Sequence, residues 1–205
     1  MALALNPPQT LLGAVMPKAG TARLLTNILT VVLGTVVLAL SAKISVPVQP
    51  VPVTLQTMAV AALAAGFGWR IGVATVALYM LEGFLGLPVF ATGGGPAYLL
   101  GPTGGFIVSW LAVALIIGWA ADRGASRNFL VLFAVMIAAD VVNFTLGFGW
   151  LMAMASGAAF LDPANVVGSA FSKAVQPFIV WDIVKMAFAA ATVTGGWAML
   201  GRRKA

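Results

Sequence analysis

Long stretches of apolar residues without a charged side chain are the dominant feature of this sequence. Residues 24–42 form a run of 19 with no Asp, Glu, Lys or Arg. A helix needs roughly 20 apolar residues to cross a bilayer, so this run is long enough for one transmembrane helix. Five further apolar runs follow along the chain, and three of them contain one or two charged residues. We therefore predict six spans, at residues 24–42, 54–69, 71–87, 103–121, 129–152 and 176–200.

The composition is typical of an integral membrane protein. Of the 205 residues, 61% are hydrophobic and 8% are charged, whereas a soluble domain carries about 25% charged residues. We predict an all-α integral membrane protein in a single domain, residues 1–205, with an N-terminal arm at 1–22, a six-helix bundle at 23–201 and a basic tail at 202–205. The net charge of +6 does not indicate nucleic-acid binding, because the basic residues are scattered between apolar runs.

The sequence contains no cysteine and no histidine. This excludes disulfides, thiol nucleophiles and the common zinc and haem sites, so we predict no metal site and no cofactor. An intramembrane hydrolase would need a nucleophile beside a base. Ser172 adjoins Lys173, but adjacent residues on a helix point apart. We therefore predict that the protein is not an enzyme.

The distribution of lysine and arginine predicts the orientation in the membrane. With six spans, one side receives eight basic residues: Lys18, Arg23, Arg70, Arg123, Arg127, Arg202, Arg203 and Lys204. The other side receives Lys43 and Lys173. Because basic residues concentrate in cytoplasmic loops, both termini are predicted to be cytoplasmic.

Polar side chains within the spans gather in the outer half of the predicted bundle. Glu82 lies near the external end of the third span, Asn143 past the middle of the fifth, and Asp182 and Lys185 in the first turns of the sixth. Charged groups within spans are costly and usually face the bundle interior. We predict a ligand pocket in the outer half, beneath three external segments: a proline-rich loop at 46–53, a glycine-rich loop at 93–105 and a polar connection at 162–173.

The glycine-rich segment GGGPAYLLGPTGG, residues 93–105, superficially resembles a phosphate-binding loop. However, Pro96 stands where the first glycine of such a loop belongs, and Pro102 replaces its lysine. Without that lysine there is no cation for the phosphates. Glycine allows the backbone to approach a ligand closely, so these residues are candidates for a pocket wall. A turn between two helices that binds no ligand is the alternative.

Three segments together carry a family resemblance: KISVPVQPVPVTLQT, then YMLEGFLGLPVFATGGGPAYLLGPTGGF, then WDIVK. Over residues 26–200 the chain resembles the BioY family, the biotin-binding S components of energy-coupling-factor (ECF) vitamin transporters. The resemblance implies a multi-pass protein of the bacterial cell membrane that captures biotin from outside. It also implies two kinds of partner, a transmembrane T component and a pair of cytoplasmic ATPases. The family's small residues on the first helix dock on the T component, and here they correspond to Gly34, Thr35, Ala39 and Ala42.

The resemblance makes Asp182 and Lys185 the principal ligand contacts. Asp182 can accept from the two ureido N–H groups of biotin, Lys185 can donate to the ureido carbonyl, and Asn143 can add a donor and an acceptor. The apolar parts of biotin and its carboxylate need further contacts. We predict that they are Phe90, Tyr98 and Trp181 for the apolar parts, and Thr54, Gln56 and the backbone of Gly93 and Gly94 for the carboxylate.

Several alternatives stay open at this point. Asp182 and Lys185 can be an intrahelical ion pair without a ligand. Glu82 can sit in the headgroup region or pair with Lys43 instead of contacting ligand, and Asp140 is interpreted as structural, bonding Asn143 or a neighbouring helix. An S component for another vitamin and a stand-alone biotin transporter are the alternative functions.

Overall fold

The computed structural model describes residues 9–17, 19–154 and 160–202. Residues 1–8 of the predicted arm, Lys18, and residues 203–205 of the predicted tail lie outside these ranges. The helices are α1 Leu11–Val15, α2 Thr21–Lys43, α3 Gln56–Phe67, α4 Trp69–Phe84, α5 Pro96–Leu99, α6 Gly104–Ala121, α7 Phe129–Ala153, α8 Val166–Ala174 and α9 Gln176–Arg202, with a short 3-10 helix at Ala125–Arg127. Two short strands, β1 Ser45–Val46 and β2 Val53–Thr54, pair in antiparallel fashion.

Each of the six predicted spans contains an observed helix. Among the described residues, four segments are long and apolar enough to cross a membrane: α2, α6, α7 and the stretch Val166–Leu200, which includes α8 and most of α9. The helices α3 and α4, with 12 and 16 residues, are shorter than the roughly 20 residues a bilayer requires. Gly68 joins these two helices and has a φ of 87°, a left-handed conformation that favours glycine. Crossing by all six helices remains a prediction.

Helix α6 lies at the centre of the bundle and packs against α3, α4 and α7. Its side chains Trp110, Ala114 and Ile117 belong to the main apolar core. Gly118 lets α6 approach the start of α4, because a Cβ there would collide with the backbone of Trp69. The outer faces of the long helices are apolar and exposed, as expected for surfaces that contact lipid.

The two ends of the bundle differ in character. One end, here called the basic end, brings together α1, the α3–α4 turn, the 3-10 helix and the C-terminal part of α9. There Trp197 Nε1 donates to Ser126 Oγ at 3.0 Å, and Ser126 Oγ donates to the Gln9 carbonyl at 3.4 Å. The opposite end, here called the loop end, carries the β1–β2 hairpin, the connection between α4 and α6, and α8. The three segments predicted to be external therefore lie at one end.

The polar connection predicted at residues 162–173 is not a loop. Most of this segment is the helix α8. Its N-cap is Asn165, whose side chain accepts a hydrogen bond from Gly168 N at 3.0 Å. Ala170 and Ala174 then turn one face towards the protein interior. The polar residues that suggested a loop are the helix cap and the exposed face of α8.

Candidate ligand-binding site

An ion pair on α9 is the centre of the site. Asp182 and Lys185 are three residues apart and share one helix face. They are buried, with 1% and 7% of their surfaces exposed, and Lys185 Nζ donates to Asp182 Oδ1. Thr57 on α3 joins the pair, because its Oγ1 lies 3.1 Å from Asp182 Oδ1 and 3.4 Å from Lys185 Nζ. The pair is therefore held by two helices.

The ion pair leaves hydrogen-bonding capacity unused. Asp182 Oδ2 is buried without a hydrogen-bond partner, and so is Trp110 Nε1 on α6. Both residues line the same small cavity. A buried polar atom without a partner costs roughly 1–3 kcal/mol. Among the described residues that line the cavity, Asp182 thus carries an unpaired acceptor and Trp110 an unpaired donor, which a polar ligand bound there can satisfy.

The cavity has a volume of about 40 Å³. Aromatic side chains form its apolar walls, and Phe106 and Phe178 stack with ring centroids 6.4 Å apart. Val51 and Pro52, from the loop between β1 and β2, also line it. The share of volume that one water takes in the liquid is about 30 Å³, so in this conformation the cavity holds only very small molecules.

Asn143 on α7 also lines the cavity. It is buried, with its Oδ1 accepting from Ser109 Oγ at 2.6 Å and its Nδ2 donating to Asp140 Oδ1 at 3.3 Å. The structure therefore brings Asn143 together with Asp182 and Lys185 and pairs Asp140 with Asn143. Within the described residues, four helices, α3, α6, α7 and α9, contribute polar groups to one buried cluster.

A larger groove adjoins the cavity on the side of α9. Its volume is about 480 Å³ and its lining is mostly apolar, with residues from the hairpin, α3 and α9. Thr54 and Lys185 line both the groove and the cavity. Trp181 lies in the groove and is 61% exposed. It does not line the cavity, because consecutive residues of a helix point in directions about 100° apart.

Four other predicted contacts form a packed layer behind Trp110. The Phe90 ring stacks on Tyr98 with centroids 4.8 Å apart and meets Tyr79 edge-on at 5.4 Å. Gln56 Nε2 donates to the Tyr79 hydroxyl at 2.6 Å. Gly93 belongs to the same layer, since its carbonyl accepts from Phe90 N at 3.0 Å. None of these residues lines the cavity as the structure describes it.

Gly94 lies next to this layer, on the surface of the molecule. It packs so closely on the Leu87 carbonyl that a Cβ would collide with it. Gly94 therefore allows a close approach between two segments of the protein's own backbone.

Glu82 lies on α4 beside α2 rather than at the cavity. It accepts a hydrogen bond from Thr35 Oγ1 at 2.9 Å. The suggested pairing of Glu82 with Lys43 is not found, because Lys43 Nζ donates instead to the carbonyls of Pro88 and Phe90, at 2.8 and 2.6 Å. These bonds attach the end of α2 to the segment between α4 and the glycine-rich loop.

The small residues of α2 face inwards as well. Gly34 packs against Thr75 of α4, and Thr35 and Ala42 are buried. Ala39 is partly buried against the core. In this conformation these small residues mediate packing within the chain. The exposed apolar face of α2 is formed by other side chains of the helix.

Comparison with known proteins identifies the family. The model of the BioY family matches residues 14–202. The chain belongs to the BioY family.

Relatives with BioY names come from both archaea and bacteria. The chain is 37% identical over 154 residues to a probable biotin transporter BioY of Pyrococcus horikoshii, covering 74% of this chain and 83% of the relative. It is 35% identical over 158 residues to the biotin transporter BioY of Thermotoga maritima, covering 76% and 86%. These relatives are named as transporters and not as enzymes. The chain itself is a multi-pass membrane protein, with several apolar helices long enough to cross a bilayer.

A solved structure shares the fold of this BioY-family chain. It is the S-component for biotin from an ECF-type ABC transporter, with a TM-score of 0.72 and 22% sequence identity. The match covers 86% of this chain and 93% of the other. The arrangement of helices is therefore that of an S component.

Sequence reasoning missed several residues that line the cavity of this BioY-family protein: Val51, Pro52, Thr57, Phe106, Trp110, Phe144 and Phe178. The sequence could have indicated Thr57, because this residue ends the VPVTLQT motif that also contains the predicted contacts Thr54 and Gln56. The aromatic residues had none, since an apolar residue in a membrane span can equally face lipid or core.

Proposed function

We propose that this protein is the substrate-binding S component of an ECF-type biotin transporter. The observation that carries the proposal is the buried Asp182–Lys185 pair with a free acceptor at Asp182 Oδ2 and a free donor at Trp110 Nε1. Relatives named as biotin transporters and the shared fold support it. The proposed ligand is biotin, bound without chemical change.

The cyclic urea of biotin complements these groups. Its two N–H groups are donors, and Asp182 Oδ2 is the acceptor for one of them. Its carbonyl oxygen is a strong acceptor, and Lys185, Asn143 and Trp110 offer donors around the same cavity. Charge-assisted hydrogen bonds are about twice as strong as neutral ones, so the ion pair supplies most of the polar recognition.

The rest of biotin requires more space than the cavity has. The proposal therefore includes displacement of Val51 and Pro52, the hairpin residues that close it. Thr54 stands between the cavity and the larger groove. We propose that Thr54 lies beside the valeryl tail. Gln56 and Gly93, bonded to Tyr79 and Phe90, act by holding the loop end together.

The membrane arrangement and the partners belong to the same proposal. We infer six crossings, with the basic end in the cytoplasm and the loop end outside, because eight of the ten basic residues outside the spans lie at the predicted cytoplasmic side. The partners are a transmembrane T component and cytoplasmic ATPases. The short helices α3 and α4 cross with the help of the surrounding protein, which buries much of their surface.

Biotin binding to the purified protein in detergent tests the proposal. Wild type is compared with Asp182→Asn and Lys185→Ala by calorimetry. Removing one partner of a buried charged hydrogen bond costs about 2–5 kcal/mol, or roughly 30-fold to several-thousand-fold in Kd. The matched control is Lys173→Ala. Lys173 is an exposed residue of α8 that donates a hydrogen bond to the Phe160 carbonyl.

Three results separate the hypotheses. Weakened binding by both site variants but not by Lys173→Ala supports the function and the site. Binding that neither site variant weakens moves the site elsewhere. A folded wild type that does not bind biotin rejects biotin as the ligand and favours another vitamin.

Uptake measurements test the role of the partners. Cells that produce this chain with and without the T component and the ATPases are compared for accumulation of labelled biotin. Uptake that needs the ATPases supports the S-component role. Equal uptake without them favours a stand-alone transporter.

A further inference from the structure

The orientation of the Asn143 amide decides what kind of ligand the cavity can accept. One side of a carboxamide is a carbonyl acceptor and the other is an NH₂ group with two donors. Turning the amide over would exchange the two. The cavity then presents either a donor or an acceptor beside Lys185, and it would select ligands of opposite character.

Two neighbours contact this amide within the bundle. Ser109 Oγ lies 2.6 Å from Asn143 Oδ1 and also 2.7 Å from the Phe106 carbonyl. Its single hydroxyl hydrogen can be directed at either oxygen, so a serine tolerates both orientations of the amide. Asp140 Oδ1, 3.3 Å from Asn143 Nδ2, does not, because an ionised carboxylate only accepts hydrogen bonds.

We propose that Asp140 is a positioning residue that sets the ligand selectivity of the site through Asn143. Its carboxylate holds the NH₂ group of Asn143 on its side, and Ser109 then donates to the carbonyl oxygen. One N–H of Asn143 bonds Asp140, and the other is left for the cavity. The cavity therefore offers a donor at this position, next to the Lys185 ammonium.

This arrangement selects a ligand whose polar head has an acceptor at one point and donors beside it. Lys185 and Asn143 converge on the acceptor, and Asp182 Oδ2 takes a donor. A cyclic urea has this pattern, whereas a cyclic guanidinium has donors at all three positions. The inference rests on the proposed function, since it assigns the ureido carbonyl to the Lys185–Asn143 side.

The discriminating experiment compares biotin with 2-iminobiotin, in which the ureido carbonyl is replaced by an imino group. The comparison is made at mildly alkaline pH, where the analogue is still a guanidinium cation and the ionised form of Asp140 is favoured. The measured quantity is the ratio of the two Kd values, 2-iminobiotin over biotin, for wild type and Asp140→Asn. The neutral carboxamide that this substitution introduces can donate or accept, so the Asn143 amide is free to turn over.

We expect Asp140→Asn to narrow this ratio by roughly tenfold, about the value of one hydrogen bond. Asp140 also interacts electrostatically with Asp182 and Lys185. If charge were its only contribution, neutralising it would disfavour the cationic analogue and widen the ratio. If Asp140 only supported the fold, both affinities would fall together. A widened or unchanged ratio would overturn the proposal.

Two further variants serve as a substitute for Asp140→Asn and as a control. Asp140→Ser, whose hydroxyl can also donate or accept, should narrow the ratio in the same way and replaces Asp140→Asn if that variant does not fold. Ser109→Ala is the matched control, because Asp140 still orients the amide, and its ratio should equal that of wild type. Wild type that binds no biotin rejects the proposed function, while normal wild-type binding with an unchanged ratio in the Asp140 variants rejects this inference alone.

Discussion

Replacing Lys185 with methionine should leave a buried carboxylate without its counter-ion. Methionine matches the length of the lysine stem but carries no charge. Asp182 would remain 1% exposed, with Thr57 as its remaining donor at 3.1 Å. Its Oδ2 has no partner even in the wild type. The substitution therefore isolates a negative charge inside the bundle.

The cost follows from how buried ion pairs behave. Breaking such a pair by removing one partner destabilises a protein by about 3–5 kcal/mol, whereas replacing both partners by neutral groups is often nearly neutral. Lys185→Met should therefore lower the free energy of unfolding by about 3–5 kcal/mol. The double variant Asp182→Asn with Lys185→Met should be more stable than Lys185→Met alone, although it carries one more substitution.

Equilibrium unfolding in mixed detergent micelles, followed by far-ultraviolet circular dichroism, measures these differences. Lys173→Met is the control, because Lys173 is an exposed lysine that bonds a backbone carbonyl. Its effect should stay within about 0.5 kcal/mol, as is usual at exposed positions. If Lys185→Met were as stable as this control, or the double variant less stable than Lys185→Met, the account of a buried and isolated Asp182 would be refuted.

Other predictions concern packing and the basic end. Gly118→Ala should destabilise the protein by about 1–3 kcal/mol, because its Cβ would meet the backbone of Trp69; Gly149→Ala, at a helical site with open space, should instead stabilise it by about 0.5–1 kcal/mol. Equal changes in the melting temperatures of these two variants would contradict this reading. Burial raises the pKa of the Asp122 carboxyl, against the lowering effects of a Trp69 backbone hydrogen bond and the nearby arginines. Because the raised pKa means that the charged form is disfavoured in the folded state, Asp122 should cost no stability below its unfolded pKa of about 3.9. The cost should grow as the pH rises from there and be complete above the raised folded pKa. The difference in melting temperature, Asp122→Asn minus wild type, should therefore become more positive from about pH 3 to about pH 7, and a difference independent of pH would refute the assignment.

The long helices were predictable because bilayer thickness sets their length. The predicted run 129–152 begins at the same residue as α7 and ends one residue before it. The start agrees because Asn128 caps the helix, with its Oδ1 accepting a hydrogen bond from Val131 N. The family resemblance also predicts Asp182 and Lys185 as site residues, and in the structure they are buried together as an ion pair. Their spacing on one helix made that pairing expected.

The positions of the other predicted contacts relative to the cavity could not be predicted from the sequence, because they depend on three-dimensional geometry. Trp181 adjoins Asp182 in the chain, yet the helix turns it to the groove outside the cavity. Phe90 comes just before the glycine-rich loop and Tyr98 from within it, but they stack within a layer around Tyr79. The direction in which a loop folds back depends on tertiary contacts such as the Lys43 bond to the Phe90 carbonyl. Local sequence does not specify these contacts.

The hairpin that closes the small cavity has a consequence for the rate of binding. Val51 and Pro52 line a space of about 40 Å³, so under the proposed displacement of these residues biotin enters only after the hairpin moves. At low biotin concentration the observed association rate should rise in proportion to concentration. At high concentration it should level off at the rate at which the hairpin opens, and dissociation should be slow because the same motion is needed for release. Tight capture by this protein would then come from a long residence time more than from fast encounter.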